Sequence, residues 1–405
     1  MLWLGLIGCR GQRAEVSHQM GTFGSDLDFL RQHTEIVLLT DKAGAAQVAI
    51  APAYQGRVMT STTGGRGGAS FGWIGRAAIS SGARQPHINV FGGEDRLWLG
   101  PEGGQFALYF AKGDPFDLDH WQVPEPIDWG SWEVSRQSDT DAAFRRRMHL
   151  VNYSGTPLDV DVERSVRLLS ESDIATTLGQ TLGAAVKAVA FESANTVTNA
   201  GPAPWTRDTG LVSIWILGMF NPSPETTIAI PFQPGSEAER GPIVNDAYFG
   251  KVPGDRLVTR ESVLFFRGDG QYRAKIGLPP PRARALAGSY DASGHVLTLV
   301  QYTRPAGAAE YVNSMWELQS EPFKGDVVNS YNDGPPAPGK PPLGPFYEFE
   351  TSSPALDLAP QARFTHVHRT FHLAGPDAQL DAIARATLGA SLAEIAGAFR
   401  PAAAR

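Results

Sequence analysis

The sequence predicts an all-β protein: a large antiparallel β-sandwich with a few short helices and a helical segment at the C-terminal end. Two observations carry the prediction. Short runs of β-branched and aromatic residues dominate the chain, and Gly, Pro, Asn and Asp clusters punctuate them at short intervals. Helical spacing of apolar residues is scarce and clearest at the C-terminal end. The chain has 405 residues with 44 Gly and 30 Pro, an ordinary globular composition, and all-β architectures of this size can form one domain. The expected organisation is a leader or tether over residues 1–20, one β-sandwich domain over 21–400 with its C-terminal helices, and a frayed tail over 401–405.

The elements follow in order. Ser25-Asp26-Leu27-Asp28 caps a short helix ending at His33. Strands are expected at EIVLLT, AQVAIAP, RLWLG and QFALYFA. In RRMHLVNYSGTPLDVDVERSVRLL, two β-rich runs flank the turn Asn152–Pro157 and make a hairpin, with Pro157 outside the pairing core. Further strands are LVSIWILGMF, TTIAIPF, ESVLFF and HVLTLVQY. The stretch Pro335–Pro342 lacks the amide donors for regular pairing and reads as a rigid loop that returns the chain to the sheet. Next comes FYEFET, whose aromatic residues argue for a strand that sends Glu348 and Glu350 to one face. Two like charges side by side need a cation, a ligand or water to answer them. His366, His368 and His372 share one face of a late strand and read as a solvated face, with metal ligation as the alternative. Leu380, Ile383, Leu388, Leu392, Ile395 and Phe399 recur at near-helical spacing. Gly389 breaks that helix and the capping box Ser391–Glu394 restarts it.

Charge and cysteine content exclude some functions. A net charge of −7 with no Lys/Arg run gives no footprint for nucleic acid. The one cysteine, Cys9, permits no internal disulfide and no thiolate-built zinc site. The opening MLWLGLIGC resembles the lipobox of bacterial lipoproteins, although no Lys or Arg precedes its short apolar run. It implies a lipid anchor through Cys9 and a periplasmic or outer-membrane location. The alternative is a buried first strand in a cytoplasmic protein. Nothing in the sequence approaches 18 uninterrupted apolar residues, so no spanning helix is expected.

Four stretches combine carboxylates, amides, Arg, Gly and aromatics as a sugar site requires. Aromatic faces cover the apolar CH face of a pyranose while polar groups bond its hydroxyls. In Asn89–Gly104, the candidates are Glu94, Arg96 and Glu102, with Arg96 oriented by the acids beside it. In Trp205–Phe220, Trp215, Met219 and Phe220 read as core. In Tyr311–Glu317, the candidates are Asn313, Trp316 and Glu317, with Asn313 and Glu317 at one strand parity. In Gly325–Gly334, an Asx-dense loop offers Asp326, Asn329, Asn332 and Asp333, either to a sugar, to Ca²⁺ or to its own turns. Apart from that Ca²⁺, no cofactor or metal is expected. No phosphate-binding loop, G-x-S-x-G or H-E-x-x-H motif is present.

The segment Glu350-Thr351, a loop, Leu356-Asp357-Leu358-Ala359-Pro360 and a strand to His372 resembles the galactose mutarotase-like superfamily, which includes aldose 1-epimerases and hexose-phosphate epimerases. Gln361 stands where the superfamily usually has Gly. Gln55–Thr60 looks like the superfamily's opening strand. The strings GGEDRLWLGPEGG, LGMFNPSP, GDVVNSYNDGP and FYEFETSSPA are similar to those of a bacterial group of mutarotase-like proteins without an established reaction, often carried behind a lipoprotein signal. The resemblance implies the β-sandwich called a supersandwich, a carbohydrate ligand, and Glu350 as the base that takes the anomeric proton, with Glu348 its same-face neighbour. The superfamily's two histidine-bearing motifs have no counterpart, since His87 and His120 lie in other contexts, so the general acid is left open. The expected function is a carbohydrate-active protein of the aldose-epimerase type. The alternatives are a non-catalytic glycan-binding lipoprotein of a polysaccharide-utilisation system, or a glycan hydrolase or lyase that would pair Glu350 with Asp95, Glu102 or Glu317.

Overall fold

A computed structural model describes residues 21–400. The expectations for Cys9 and for the tail lie outside that range. Among the described residues, all strand ladders are antiparallel and form three sheets. The largest has ten strands, in the spatial order Leu257–Arg260, Val263–Arg267, Thr226–Pro231, Leu286–Asp291, Val296–Tyr302, Arg363–Ala374, Lys187–Asn199, Pro157–Leu168, Asp141–Val151 and Glu133–Gln137. Five strands make the second sheet: Ala274–Leu278, Val328–Asn332, Tyr347–Ser352, Ser213–Phe220 and Arg96–Gly100. The third consists of Val37–Thr40, Gln47–Ala51 and Arg57–Thr62. The all-β antiparallel sandwich is the architecture observed.

Period-two patterning builds the core. One face of the five-stranded sheet supplies Phe220, Ile276, Leu278, Val328, Tyr347 and Phe349, which pack against Ile228, Ile230, Leu264, Phe266, Val300 and Tyr302 of the ten-stranded sheet. Farther along, Leu97, Leu99, Ile214 and Ile216 meet Phe144, Val160, Val162 and Phe191. Burial of facing apolar side chains is the main drive for joining the layers. The predicted hairpin forms as read. Asn152 Oδ1 accepts from the Thr156 amide at 2.9 Å, and Val151 pairs with Pro157 at the open end of the ladder.

Two helices close the C-terminal end. Gly389 takes a φ of 74° after Asp377–Leu388, and Ser391 and Glu394 make the reciprocal cap of Leu392–Ala396. Leu380, Ile383, Leu388, Leu392 and Ile395 pack on Phe265, Leu297, Leu299, Phe371 and Leu373, covering part of the ten-stranded sheet. No helix among the described residues is long and apolar enough to cross a membrane.

Four expectations are corrected. The first helix is Phe23–His33, capped by Thr22 rather than Ser25, because Phe23 is already buried with Leu27 and Ala49. QFALYFA is no strand. Ala107 to Phe110 are all buried, so the segment does not alternate, and Tyr109 donates its hydroxyl to the Leu99 carbonyl at 2.9 Å. His366, His368 and His372 do share a face, but it lies buried within the fold. Thr351 Oγ1 sits 3.0 Å from His366 Nε2 and 2.9 Å from His368 Nδ1, while His372 joins Thr298 and Glu94. Half of the Asx-dense stretch is strand: Val328–Asn332 is buried throughout, its polar residues absorbed by side-chain and backbone partners.

Candidate functional site

The face of the five-stranded sheet turned away from the ten-stranded one is charged and aromatic. Register explains the composition. One row across the sheet reads Lys275, Tyr331, Glu348, Met219, and the next reads Gly277, Asn329, Glu350, Leu217, Arg96. Trp215 pairs with Trp98 in the row beyond Glu350. These rows floor a cavity of about 380 Å³, within the range of small-molecule sites. Its walls come from loops: Glu102 after Arg96–Gly100, Leu118 to Trp121, Phe249, Trp316, and Pro336 to Leu343. The Pro-rich stretch therefore contributes to a wall of the cavity.

Each floor glutamate has its own cation. Lys275 Nζ lies 2.9 Å from Glu350 Oε2, to which Trp215 Nε1 also donates at 3.1 Å. Arg96 Nη2 donates to Glu348 Oε1 at 2.9 Å. All four charged residues are buried. Burial works against the Lys275 ammonium, but the carboxylates of Glu350 and Glu102 outweigh it and hold its pKa above the ordinary value. Glu348 shifts the other way from a usual carboxylate: desolvation raises it to about 7, against the pull of Arg96. Desolvation likewise raises Glu102, which is half-buried on the opposing wall. The cavity thus holds a carboxylate with two donors alongside carboxyls biased toward keeping a proton. Carboxyls biased in that direction can serve as general acids.

The donor inventory is unbalanced. Arg96 Nε and Nη1 and Trp98 Nε1 are buried, belong to residues lining the cavity, and have no hydrogen-bond acceptor among the described residues. Arg96 also stacks over the Trp98 ring at 4.7 Å, and Lys275 over Trp215 at 4.8 Å. Aromatic faces beside unsatisfied donors suit a ligand rich in oxygen acceptors with apolar patches between them.

Residues 21–399 match the family of unknown function DUF6786. The chain belongs to this family. No curated protein matches the sequence. Among solved structures, this DUF6786 member is similar to a candidate aldose 1-epimerase of Escherichia coli K12, with TM-score 0.49 and 12% identity over 84% of this chain and 99% of that one. A galactose mutarotase related enzyme from Lactobacillus acidophilus gives TM-score 0.47 and 11% identity, covering 85% and 99%. A galactose mutarotase-like protein from Lactobacillus casei gives 0.45 and 12%, covering 84% and 100%. No residue role is carried over from these likenesses.

Of the residues singled out from the sequence, the family member brings Arg96, Glu102, Trp316, Asp333, Glu348 and Glu350 into the cavity lining. Asp333 is held by the Tyr331 hydroxyl at 2.7 Å and the Gly344 amide at 2.8 Å. Asp326 and Asn329 form a buried cluster with Tyr248 and Asn245 at the edge of the floor. Gly277 is what admits them, since a Cβ there would lie 2.1 Å from Asp326 Oδ2.

Four candidates lie elsewhere. Glu94 turns inward and bonds Ser61 and His372, so Arg96 is oriented by Glu348 and not by its acidic neighbours. Asn332 faces the opposite side of its strand and fixes the turn at Asp269 to Tyr272. Asn313 spends its amide oxygen on the Met315 amide at 3.0 Å. That turn ends any strand parity with Glu317, which is exposed.

Sequence reading missed Lys275, Arg273, Trp121 and Phe249; it placed Trp215, Met219 and Phe220 in the core, and all three are buried there, but Trp215 and Met219 line the cavity as well. One signal was available for Lys275: an ammonium between Ala274 and Ile276 in a short apolar strand needs a buried partner. Of the two histidines weighed as acids, His87 lines the cavity and donates Nδ1–H to the Trp121 carbonyl at 2.7 Å, whereas His120 pairs with Asp117 on the surface.

Proposed function

We propose that the cavity binds a sugar and catalyses proton transfer at its anomeric centre, interconverting the two anomers. One observation carries the reading: Glu350 and Glu348 stand on adjacent rows of one floor, each with a private cation, beneath aromatic walls with unused donors. In this scheme Glu350 takes the proton of the anomeric hydroxyl. Glu102, biased toward its protonated form, gives its proton to the ring oxygen as the C1–O bond to that oxygen breaks. Rotation about the exposed aldehyde and closure from its other face return both protons, so the reaction is balanced and needs no co-reactant. Lys275 and Trp215 bond the Glu350 carboxylate and fix its plane.

The test is Glu350→Gln, which keeps the shape and removes the base. Anomer exchange of hexoses, followed by exchange NMR, should fall by about 10²- to 10⁴-fold. An exchange rate equal to that of the wild type would remove Glu350 from the mechanism.

A further inference from the structure

The cavity does not end where a single ring would end. Among the described residues, few large apolar side chains remain exposed, and three of them line this cavity: Phe249 at 39%, Leu118 at 53% and Leu343 at 53%. They arrive from three separate loops. Single exposed apolar residues need no explanation, but three converging on one mouth form a contact surface. The lip is braced as well. Arg273 lies 3.7 Å over the Phe249 ring, and Tyr331 meets that ring edge-on at 6.0 Å. A second chamber of about 120 Å³ shares Glu102, Leu118, Phe249, Arg273, Lys275 and Trp316 with the first and adds Tyr248 and Met315.

We propose that the site takes the end of an oligosaccharide. Its terminal ring would sit over Glu348 and Glu350, and the next ring would cross the lip formed by Phe249, Leu118 and Leu343. The proposal rests on the sugar reading of the inner cavity and names its substrate class. Charge alternates with apolar surface around the mouth, where Arg273 and Asp119 also line the cavity. A second pyranose has the matching pattern, an apolar CH face edged by hydroxyls. An alkyl chain at the same place would desolvate those charged groups without bonding them.

NMR titration of the wild-type protein with glucose, galactose and mannose, and with disaccharides built from them, tests this directly. At least one disaccharide should bind about tenfold tighter than its component monosaccharides, the scale expected of one added aromatic stacking contact. In the double variant Phe249→Ser/Leu343→Ser the disaccharide should lose about tenfold more affinity than the monosaccharide, so that the ratio between them disappears. Equal affinities for a bound monosaccharide and every disaccharide would overturn the lip and leave the inner site standing. Absence of any saccharide binding would overturn both. Octyl glucoside gaining as much as the best disaccharide would overturn the second ring as the occupant.

Discussion

Two buried ion pairs begin at neighbouring residues and face opposite ways. Asp95 turns into the fold and meets Arg164 at 2.6 Å, with both side chains at 0% exposure. Arg164 spends its remaining donors on the Gly56 carbonyl, the Asn195 amide oxygen and the Asp95 carbonyl, and Ser193 donates to the free oxygen of Asp95. Arg96 turns to the cavity and meets Glu348, but its Nε and Nη1 have no acceptor among the described residues. A closed network serves the fold, because every desolvated group is already answered. An open one at a cavity is prepared for something that arrives later. Burial alone would have ranked the two pairs together; satisfaction separates them.

The largest effect should come from breaking the closed pair. Arg164→Met leaves Asp95 enclosed without its cation, and chemical denaturation should show a loss of about 3–5 kcal/mol. The double variant Asp95→Leu/Arg164→Met should recover most of that loss, since it removes both desolvated charges. Failure of the second change to rescue the first would mean that Arg164 acts through its backbone contacts and not through Asp95.

Much of this layout could be read from the sequence, and the unread part has a common cause. Alternation along each strand is a local property, so the hairpin, the C-terminal helices and the shared face of Glu348 and Glu350 were legible. Which strand lies beside Tyr347–Ser352 is not local. Lys275 and Arg96 reach the glutamates only because Ala274–Leu278 and Arg96–Gly100 occupy the two edges of that sheet, pairings of high sequence separation. The same limit explains the histidines. Their period-two spacing is equally consistent with a wet or a buried face, and the apposition of Thr351, fifteen positions away from His366, decided between them.

That histidine layer should set the acid stability of the closed side. Thr351 has one hydroxyl proton, so of His366 and His368 one accepts from it and the other donates to it. Burial lowers His366 to about 3 and His368 to about 4. Folded-state values below the unfolded one mean that the unfolded chain binds more protons, so stability is full above about pH 6.5 and is lost as pH falls toward those values. At pH 5 each histidine should have withdrawn about 2 kcal/mol relative to pH 8. Denaturation midpoints across that range check it. His368→Gln should flatten the acid limb by one histidine's share, and a limb of unchanged slope would refute the assignment.

The open pair should cost the fold least when broken, and the reason lies in Glu348. Its carboxyl already titrates near 7 because of desolvation, so when Arg96→Met removes the guanidinium it can take a proton and cease to be a buried charge. Removing Arg164 instead strips Asp95 of its ion pair in an interior closed on every side. Stability at pH 6 should therefore drop by only about 1 kcal/mol, one hydrogen bond's worth. The deficit should widen as pH rises through 7 and beyond, where a neutral Glu348 becomes harder to keep. Ligand binding should respond in the opposite proportion, because Nε and Nη1 are lost with the charge. The sharpest comparison is thus Arg164→Met beside Arg96→Met at pH 6. Comparable stability losses in the two variants would show that both pairs serve the fold alike, and that the unused donors of Arg96 do not mark a binding surface.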